Sequence, residues 1–326
     1  MTAHPITMYG IRELQPGPRW GQLFDATWPA YRRFYLAEGR AARPSLVSSG
    51  AALAIHMPEL LPTWARLSQQ TGFDGDASAF LTHWDLPTFA PAACSQVVTT
   101  VPTPALVRNY DYAPDLFERV SISTDYLRPV IGTGDCLWGL LDGMNDAGLV
   151  VSLTYGGDRR GGQGFAIPLV VRYLLETCTD TLEAEEALMR LPMAMTYNLT
   201  LVDGLQRVIT AHVGPGRAPE IRSQPFATNH RWREPVDPGH AARYRSVERL
   251  DQLDTALTRQ ASADELVELM LRPGLHTRDY SGGFGTLYTA DYRPEDGTVT
   301  YRWPGMSWTR RFDSPDGTVD VILRDA

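Results

Sequence analysis

The chain has 326 residues, with 30 basic residues against 38 acidic ones, and every basic residue is an arginine because the sequence contains no lysine. The missing lysine excludes an internal aldimine with pyridoxal phosphate, a Schiff-base aldolase, a Walker A phosphate loop and a Ser-x-x-Lys acylase. A formal net charge of -8 argues against a nucleic-acid-binding protein, which needs a basic surface.

The remaining composition predicts an ordinary globular protein. Apolar residues make up 43% of the chain, and no run approaches the roughly 20 apolar residues of a membrane span. The first twelve residues lack the pattern of a secretory signal. The three cysteines form neither a disulfide framework nor a Cys-x-x-Cys zinc site, and the histidines show no metal-ligand spacing. We therefore expect a cytoplasmic protein with no metal, no cofactor and no membrane or nucleic-acid partner.

The first ninety residues predict an all-helical leader of three or four helices. Apolar residues recur at helical spacing over Trp20–Glu38, Leu46–His56 and Pro58–Gln70. A stretch rich in proline and alanine follows over residues 86–93, which is typical of a loop. The leader is thus expected to end just before Cys94.

From Cys94 onward, runs rich in valine and threonine predict strands, and these alternate in groups with helices. Because regular strand–helix–strand alternation is missing, the order favours an α+β protein with a four-layer αββα design over a doubly wound sheet. The predicted strands are Cys94–Val101, Ala105–Tyr112, Cys136–Met144, Leu149–Thr154, Tyr197–Val202, Arg207–Val213, Gly285–Tyr292 and Thr298–Trp303. The predicted helices are Ala166–Cys178, Thr181–Leu191, Ala241–Ala256 and Ala263–Leu271.

The cysteines differ in their surroundings. Cys136 and Cys178 lie among apolar neighbours and are predicted to be small buried residues. Cys94 is the first residue of a strand and directly follows a loop, so a nucleophile and a core residue are both open interpretations. A papain-like triad of Cys94 with His230 lacks the Cys-Gly-x-Cys-Trp context of that family.

Two further positions carry polar side chains near predicted strand ends. Arg108 and Asp111 are three residues apart on a strand, which places them nominally on opposite faces, although a bulge would re-aim one of them. Asn229 precedes His230 in a loop, where an amide serves either as a backbone cap or as a hydrogen-bond donor to a substrate.

Taken together, these motifs resemble those of the N-terminal-nucleophile (Ntn) hydrolases. The similar branch contains penicillin V acylase, choloylglycine hydrolase and acyl-coenzyme A:isopenicillin N acyltransferase, and the resemblance spans residues 94–303. The matching pieces, in chain order, are Cys94; Arg108-Asn109-Tyr110-Asp111; Gly143-Met144-Asn145-Asp146-Ala147-Gly148-Leu149; Leu153-Thr154-Tyr155; Tyr197-Asn198-Leu199-Thr200-Leu201-Val202-Asp203; Ala227-Thr228-Asn229-His230; and Arg243-Tyr244.

The resemblance implies a four-layer αββα Ntn-hydrolase sandwich with a helical N-terminal pro-segment. Residues 1–93 would form that pro-segment, which becomes the small subunit and stays with the catalytic domain, and residues 94–326 would form the catalytic domain. The chain would cut itself between Ala93 and Cys94, so that Cys94 becomes an N-terminal residue whose α-amine acts as the base. Because the chain has no lysine, this cut is the route to a catalytic amine at Cys94.

The resemblance also implies roles for individual residues. Arg108 would place a positive field near the Cys94 sulfur, and Asp111 would hold the α-amine. Asn229 would donate to the oxyanion, and Tyr155 would supply the second oxyanion donor. Arg243 would be a further site arginine, with Arg245 as the competing alignment.

The expected activity is that of an autoproteolytically activated cysteine amidohydrolase or acyltransferase. It would act on a linear amide bond of a small molecule through a thioester on Cys94, with a coenzyme A thioester as another acyl donor. Two other interpretations stay open: an uncleaved thiol-dependent enzyme of the same fold, and a non-catalytic small-molecule-binding protein of that fold.

Overall fold

The computed structural model describes residues 2–90, 92–232, 235 and 237–326, and these residues form nine α-helices and sixteen β-strands. The helices are α1 (Pro18–Tyr35), α2 (Leu46–His56), α3 (Leu61–Gln70), α4 (Gly75–Phe80), α5 (Ile167–Thr177), α6 (Thr181–Arg190), α7 (Pro238–Arg243), α8 (Ser246–Thr258) and α9 (Ala263–Met270). The strands are β1 (Ala3–Arg12), β2 (Ala93–Thr99), β3 (Ala105–Tyr112), β4 (Val120–Asp125), β5 (Pro129–Asp135), β6 (Gly139–Asn145), β7 (Val150–Tyr155), β8 (Tyr197–Val202), β9 (Val208–Val213), β10 (Glu220–Arg222), β11 (Phe226–Ala227), β12 (Arg278–Asp279), β13 (Phe284–Arg293), β14 (Thr298–Trp303), β15 (Met306–Arg311) and β16 (Gly317–Arg324).

The strands form two sheets. The larger sheet has nine strands in the order β10-β9-β8-β7-β6-β5-β4-β1-β16. The smaller sheet has seven strands, in the order β11-β2-β3-β13-β14-β15 with β12 paired to β13. In the larger sheet β1 is parallel to β4 and antiparallel to β16. All the other pairs of neighbouring strands in this sheet are antiparallel.

The two sheets pack face to face between layers of helices. Helices α5 and α6 lie against the larger sheet, and α8 and α9 lie against the smaller one. Side chains of the central smaller-sheet strands alternate between the two environments, since Gln96 and Arg108 bond to residues of the larger sheet whereas Val97 and Val107 pack with α8 and α9. The described chain is therefore a mixed α+β sandwich, as the sequence predicts.

The N-terminal leader is not entirely helical, contrary to the sequence-based expectation. Residues Ala3–Arg12 form β1, which lies inside the larger sheet between β4 and β16, and α1–α4 follow. Leader side chains such as Trp20, Leu53 and Phe80 belong to the same apolar core as the sheets. The prediction failed because β1 is stabilised by pairing with strands more than one hundred residues away.

Several other elements also differ from the expectation. The predicted helix Ala241–Ala256 is two helices, α7 and α8, separated at Tyr244 and Arg245, where Arg245 has a left-handed φ of 52°. The strands β3, β8 and β14 have the predicted bounds, whereas β4, β5, β15 and β16 were not predicted. Along the described chain we find no helix long and apolar enough to cross a membrane.

Candidate active site

Cys94 lies in β2, one residue after the strand begins, and its side chain is fully buried. In the antiparallel pairing of β2 with β3, Ala93 lies opposite Asp111 and Cys94 lies opposite Tyr110. The strand therefore carries the Ala93–Cys94 bond directly past the polar residues of β3.

Arg108 on β3 is aimed at the Cys94 sulfur from the space between the sheets. Its Nη2 is 3.6 Å from Cys94 Sγ, and its Nη1 donates to the Leu141 carbonyl oxygen at 2.9 Å and to the Asp142 carboxylate. Arg108 and Asp142 are both fully buried, so this ion pair joins the smaller sheet to the larger one. Burial opposes the charged form of Arg108, but Tyr288 and Asp142 raise its pKa well above the ordinary value, and the guanidinium stays charged.

Asp142 holds Arg108 in place and accepts three further hydrogen bonds. Tyr288 Oη donates to Oδ2 at 2.6 Å, and Tyr292 Oη and Thr133 Oγ1 donate to Oδ1 at 2.5 and 2.7 Å. Four donors around one carboxylate fix its orientation. No sequence motif indicated Asp142, because its partners come from strands of both sheets.

The thiol of Cys94 is not activated in the intact chain. Burial raises its pKa above the ordinary value, and this effect outweighs the opposing effect of the Arg108 charge. Arg108 therefore lowers the pKa of the Cys94 thiol, as the sequence predicts, but the pKa stays raised while the sulfur is buried. An accessible, charged thiolate requires this surrounding to change.

Asp111 is a buried carboxyl group with one free oxygen. Thr286 Oγ1 donates to its Oδ1 at 2.7 Å, whereas Oδ2 has no hydrogen-bond partner in the described chain and lies 3.8 Å from Arg249 Nη1. Burial raises the pKa of Asp111 to about 6, against the lowering effect of Arg249. Such a group exchanges a proton near neutral pH.

Asn229 binds the backbone nitrogen of Cys94. The Cys94 N–H donates to Asn229 Oδ1 at 2.9 Å, and Asn229 Nδ2 donates to the Tyr155 carbonyl oxygen at 3.2 Å. Asn229 itself is held by its backbone N–H, which donates to Ser246 Oγ at 2.9 Å. The amide is thus fixed beside the Ala93–Cys94 bond, where the family resemblance predicts cleavage.

Tyr155, at the end of β7, contributes its carbonyl oxygen to this arrangement. Its side chain is buried, its hydroxyl forms no hydrogen bond with any described residue, and burial raises its pKa to about 12. In this structure the Tyr155 carbonyl oxygen therefore accepts a hydrogen bond from Asn229 Nδ2 and orients its amide. A role as the second oxyanion donor stays a prediction.

Arg249 is the arginine that the structure places at the site, instead of Arg243 or Arg245. Its Nη1 donates to the Cys94 carbonyl oxygen and to Ser95 Oγ, both at 2.7 Å. Its Nη2 donates to Asn229 Oδ1 at 2.7 Å. Arg243 and Arg245 are exposed, because the chain turns between α7 and α8 and directs the next helix face inward.

A signal for Arg249 was present in the sequence. Ser246, Arg249, Leu250 and Leu253 recur at helical spacing and form the buried face of α8. An arginine on the apolar face of a helix needs a polar partner, so it is a candidate site residue. The family motif instead pointed to the start of this segment.

Potential metal ligands are not clustered in the part of the chain described. No group of three or more His, Cys, Asp or Glu side chains there is arranged to hold a metal ion. The Cys94 thiol is instead surrounded by two guanidinium groups, one carboxyl group and one amide.

Two stacked sheets between helical layers are the mixed α+β arrangement of the Ntn-hydrolase fold. The sequence profile of the acyl-coenzyme A:6-aminopenicillanic acid acyl-transferase family matches residues 99–308, and the chain belongs to that family. The match covers more than half of the chain and begins five residues after Cys94. Membership identifies the protein as an Ntn-type amidohydrolase or acyltransferase.

Solved structures with a related chain path are distant in sequence. A variant of the conjugated bile acid hydrolase from Clostridium perfringens is 12% identical, with 72% of this chain and 98% of that chain covered and a TM-score of 0.49. Penicillin V acylase from Agrobacterium tumefaciens is 12% identical, with 67% of this chain and 84% of that chain covered and a TM-score of 0.43. The Caenorhabditis elegans ortholog of N-acylethanolamine-hydrolyzing acid amidase is 14% identical, with 62% of this chain and 92% of that chain covered and a TM-score of 0.44. No protein of curated function matches the chain significantly.

Proposed function

We propose that this protein is a self-activating cysteine enzyme that cuts its own Ala93–Cys94 bond and then moves an acyl group through a thioester on Cys94. The observation that carries this proposal is that Asn229 binds the backbone nitrogen of Cys94 while Arg108 faces its sulfur. Any buried backbone N–H needs a partner, and for Cys94 that partner is the side-chain amide of Asn229. Both atoms have functions in an N-terminal nucleophile.

In the cleavage step, the Cys94 sulfur attacks the carbonyl carbon of Ala93 and the carbon–nitrogen bond breaks. The thiol proton ends on the departing nitrogen, and we assign its transfer to Asp111, whose free Oδ2 is buried and interacts electrostatically with the sulfur. The product is a thioester between Ala93 and Cys94, with a free α-amine. Water then hydrolyses this thioester, which gives the Ala93 carboxylate and restores the thiol.

In the mature enzyme, the new α-amine of Cys94 acts as the general base. Its ordinary pKa of about 7.7–8.0 is close to neutral pH, as a base requires. The sulfur attacks the acyl carbon of a small-molecule amide or a coenzyme A thioester, and the amine or thiol leaves with a proton. Water or an amine then takes the acyl group from Cys94.

The neighbouring residues have separate roles in this proposal. Arg108 favours the thiolate once the sulfur is exposed, and Asp111 holds the α-amine. Asn229 donates to the oxyanion, where loss of one donor typically costs about 10²–10³ in rate. Tyr155 is the candidate for the second donor. Arg249 keeps Asn229 and the Cys94 carbonyl group in register.

Cleavage would divide the chain into residues 1–93 and residues 94–326, which we propose to be the pro-segment and the catalytic chain of a zymogen. An uncut enzyme is disfavoured because the sulfur is fully buried and burial raises the pKa of its thiol. A purely binding role would leave Arg108, Asp111 and Asn229 around a cysteine without a chemical reason. The three free cysteines suit a reducing compartment such as the cytoplasm.

Intact-mass spectrometry of the purified protein tests the proposal. Wild type and the control Cys178→Ala should each give two chains, residues 1–93 and 94–326, whereas Cys94→Ala should give one chain of full length. Cys178 is a suitable control because it is also a buried free cysteine but lies at the end of α5. An uncut wild-type chain, or cutting of Cys94→Ala at the same bond, would contradict the proposal.

A further inference from the structure

His240 is a buried side chain beside the candidate site that no step above uses. It lies on α7, only 3% of it is exposed, and neither ring nitrogen has a hydrogen-bond partner among the residues that the structure describes. Leaving a buried polar group without a partner is costly, and nearly all buried polar groups in proteins avoid it. Such a group at an active site calls for a functional explanation.

The surroundings of His240 place it on the upstream side of the scissile bond. Its ring packs edge-on against the Tyr155 ring, with centroids 5.1 Å apart, and in a tilted arrangement against the Tyr244 ring, with centroids 4.7 Å apart. The carbonyl oxygens of these two tyrosines accept hydrogen bonds from Asn229 and Arg249. The His240 imidazole therefore packs against the same two tyrosines whose carbonyl groups hold Asn229 and Arg249 beside Cys94.

The backbone of Ala92 is the polar group that approaches the ring. It is close enough to raise the pKa of His240, as does Asp237, without completing an aligned hydrogen bond. Burial, with Arg159 and Arg249, has the larger effect and lowers this pKa to about 4, so the ring is neutral at pH 7. A neutral imidazole carries one N–H donor and one acceptor nitrogen.

A donor without a partner in the ground state is suited to lower a reaction barrier. Only an interaction that strengthens on the way to the transition state accelerates a reaction. Catalytic hydrogen bonds are often long or misaligned before the reacting groups move together. The Ala92 carbonyl belongs to the peptide group next to the scissile one, so it moves when Ala93 is drawn toward the sulfur.

We propose that His240 is a positioning residue for cleavage of the Ala93–Cys94 bond, through an N–H donated to the Ala92 carbonyl oxygen as the scissile peptide approaches Cys94 Sγ. This inference rests on the self-cleavage proposed above. It assigns to His240 no proton transfer and no contact with the reacting atoms.

Two substitutions separate this role from simple packing. His240→Phe keeps an aromatic ring against Tyr155 and Tyr244 but cannot donate, whereas His240→Gln can donate but loses the ring. A positioning role predicts cleavage about ten- to a hundredfold slower in His240→Phe and within about threefold of wild type in His240→Gln. A packing role predicts the reverse order.

The measurement is the fraction of cut chain over time after synthesis, read by intact mass, with thermal unfolding recorded for each variant. His276→Phe is the matched control, since His276 is also buried, its Nε2 also lacks a partner, and it lies outside the site. This control should cut at the wild-type rate.

The outcomes distinguish the two proposals. If wild type and His276→Phe cut but His240→Phe cuts equally fast, the positioning role is wrong and self-cleavage stands. If His240→Gln is the slower variant, the role is packing and the inference is also wrong. If wild type itself does not cut, the proposed function fails first.

Discussion

Arg249 connects the groups that surround Cys94. One guanidinium reaches the Cys94 carbonyl oxygen, Ser95 Oγ and Asn229 Oδ1, each at 2.7 Å, and lies 3.8 Å from Asp111 Oδ2. A planar guanidinium holds several acceptors in one fixed geometry, which the rotating ammonium group of a lysine cannot reproduce. The position of Asn229 beside the Cys94 nitrogen therefore depends on this side chain.

Replacing Arg249 should stop the chemistry, whereas replacing Arg243 should not. We expect Arg249→Gln to slow self-cleavage by about 10²-fold or more, because Asn229 Oδ1 loses the second of its two donors and the amide is no longer held in place. Arg243→Gln should behave as wild type, because Arg243 is exposed and packs over the Tyr244 ring. The fraction of cut chain measures both, and thermal unfolding shows whether each variant is folded.

Equal cleavage rates of Arg249→Gln and wild type would show that Arg249 has no role in self-cleavage. Loss of cleavage in Arg243→Gln with normal unfolding would restore the arginine that the sequence motif indicated.

The pH dependence of cleavage should report on Asp111. Its pKa is raised to about 6 by burial, so the carboxyl group is mostly protonated below that pH and cannot accept the thiol proton. We expect the rate to fall about tenfold per pH unit below pH 6 and to level off above it. Asp111→Asn should be slow at every pH, without this inflection. A wild-type rate that is constant from pH 5 to 7 would contradict the assignment.

The sequence indicated most single residues of the site but not their arrangement. Cys94, Arg108, Asp111 and Asn229 follow from motifs, and the structure brings them together. Arg249 was missed because the break at Arg245 changes which face of the following helix is buried. His240 was missed because only the structure shows that its ring is buried and has no hydrogen-bond partner among the described residues.

At the scale of elements, β1 ties the leader to the rest of the molecule. Eight of its residues pair with β16, and four pair with β4, so it is an interior strand of the larger sheet. The alternation of Ile6 and Met8 toward the core is a strand signal, but it is short. Its partners lie near the middle and the end of the chain, where local patterns cannot reveal them.

This arrangement predicts that the two fragments stay together after cleavage. Residues 1–93 should co-elute with residues 94–326 in gel filtration under native conditions, because separation would expose the edges of β4 and β16 and part of the shared core. The fragments should separate in denaturant. Elution of residues 1–93 as a free peptide in native buffer would show that the leader is not held as the sheet order requires.

At the scale of the whole molecule, the site lies where the two sheets face each other. Arg108 comes from the smaller sheet and Asp142 from the larger one, and hydroxyl groups from both sheets complete the cluster. Sequence order predicts the α+β class and the layered design, because those depend on local patterns. It cannot predict this cluster, because the face-to-face packing of the sheets decides which strands meet.

The central claim is that one residue, Cys94, comes to carry both a thiol and a free amine. A reagent that reacts only with an N-terminal cysteine, such as 2-cyanobenzothiazole, tests this directly on denatured protein. We predict one label on wild type, mapped to Cys94 at the start of the chain of residues 94–326, and no label on Cys94→Ala. Wild-type protein that takes up no label at Cys94 would contradict the account.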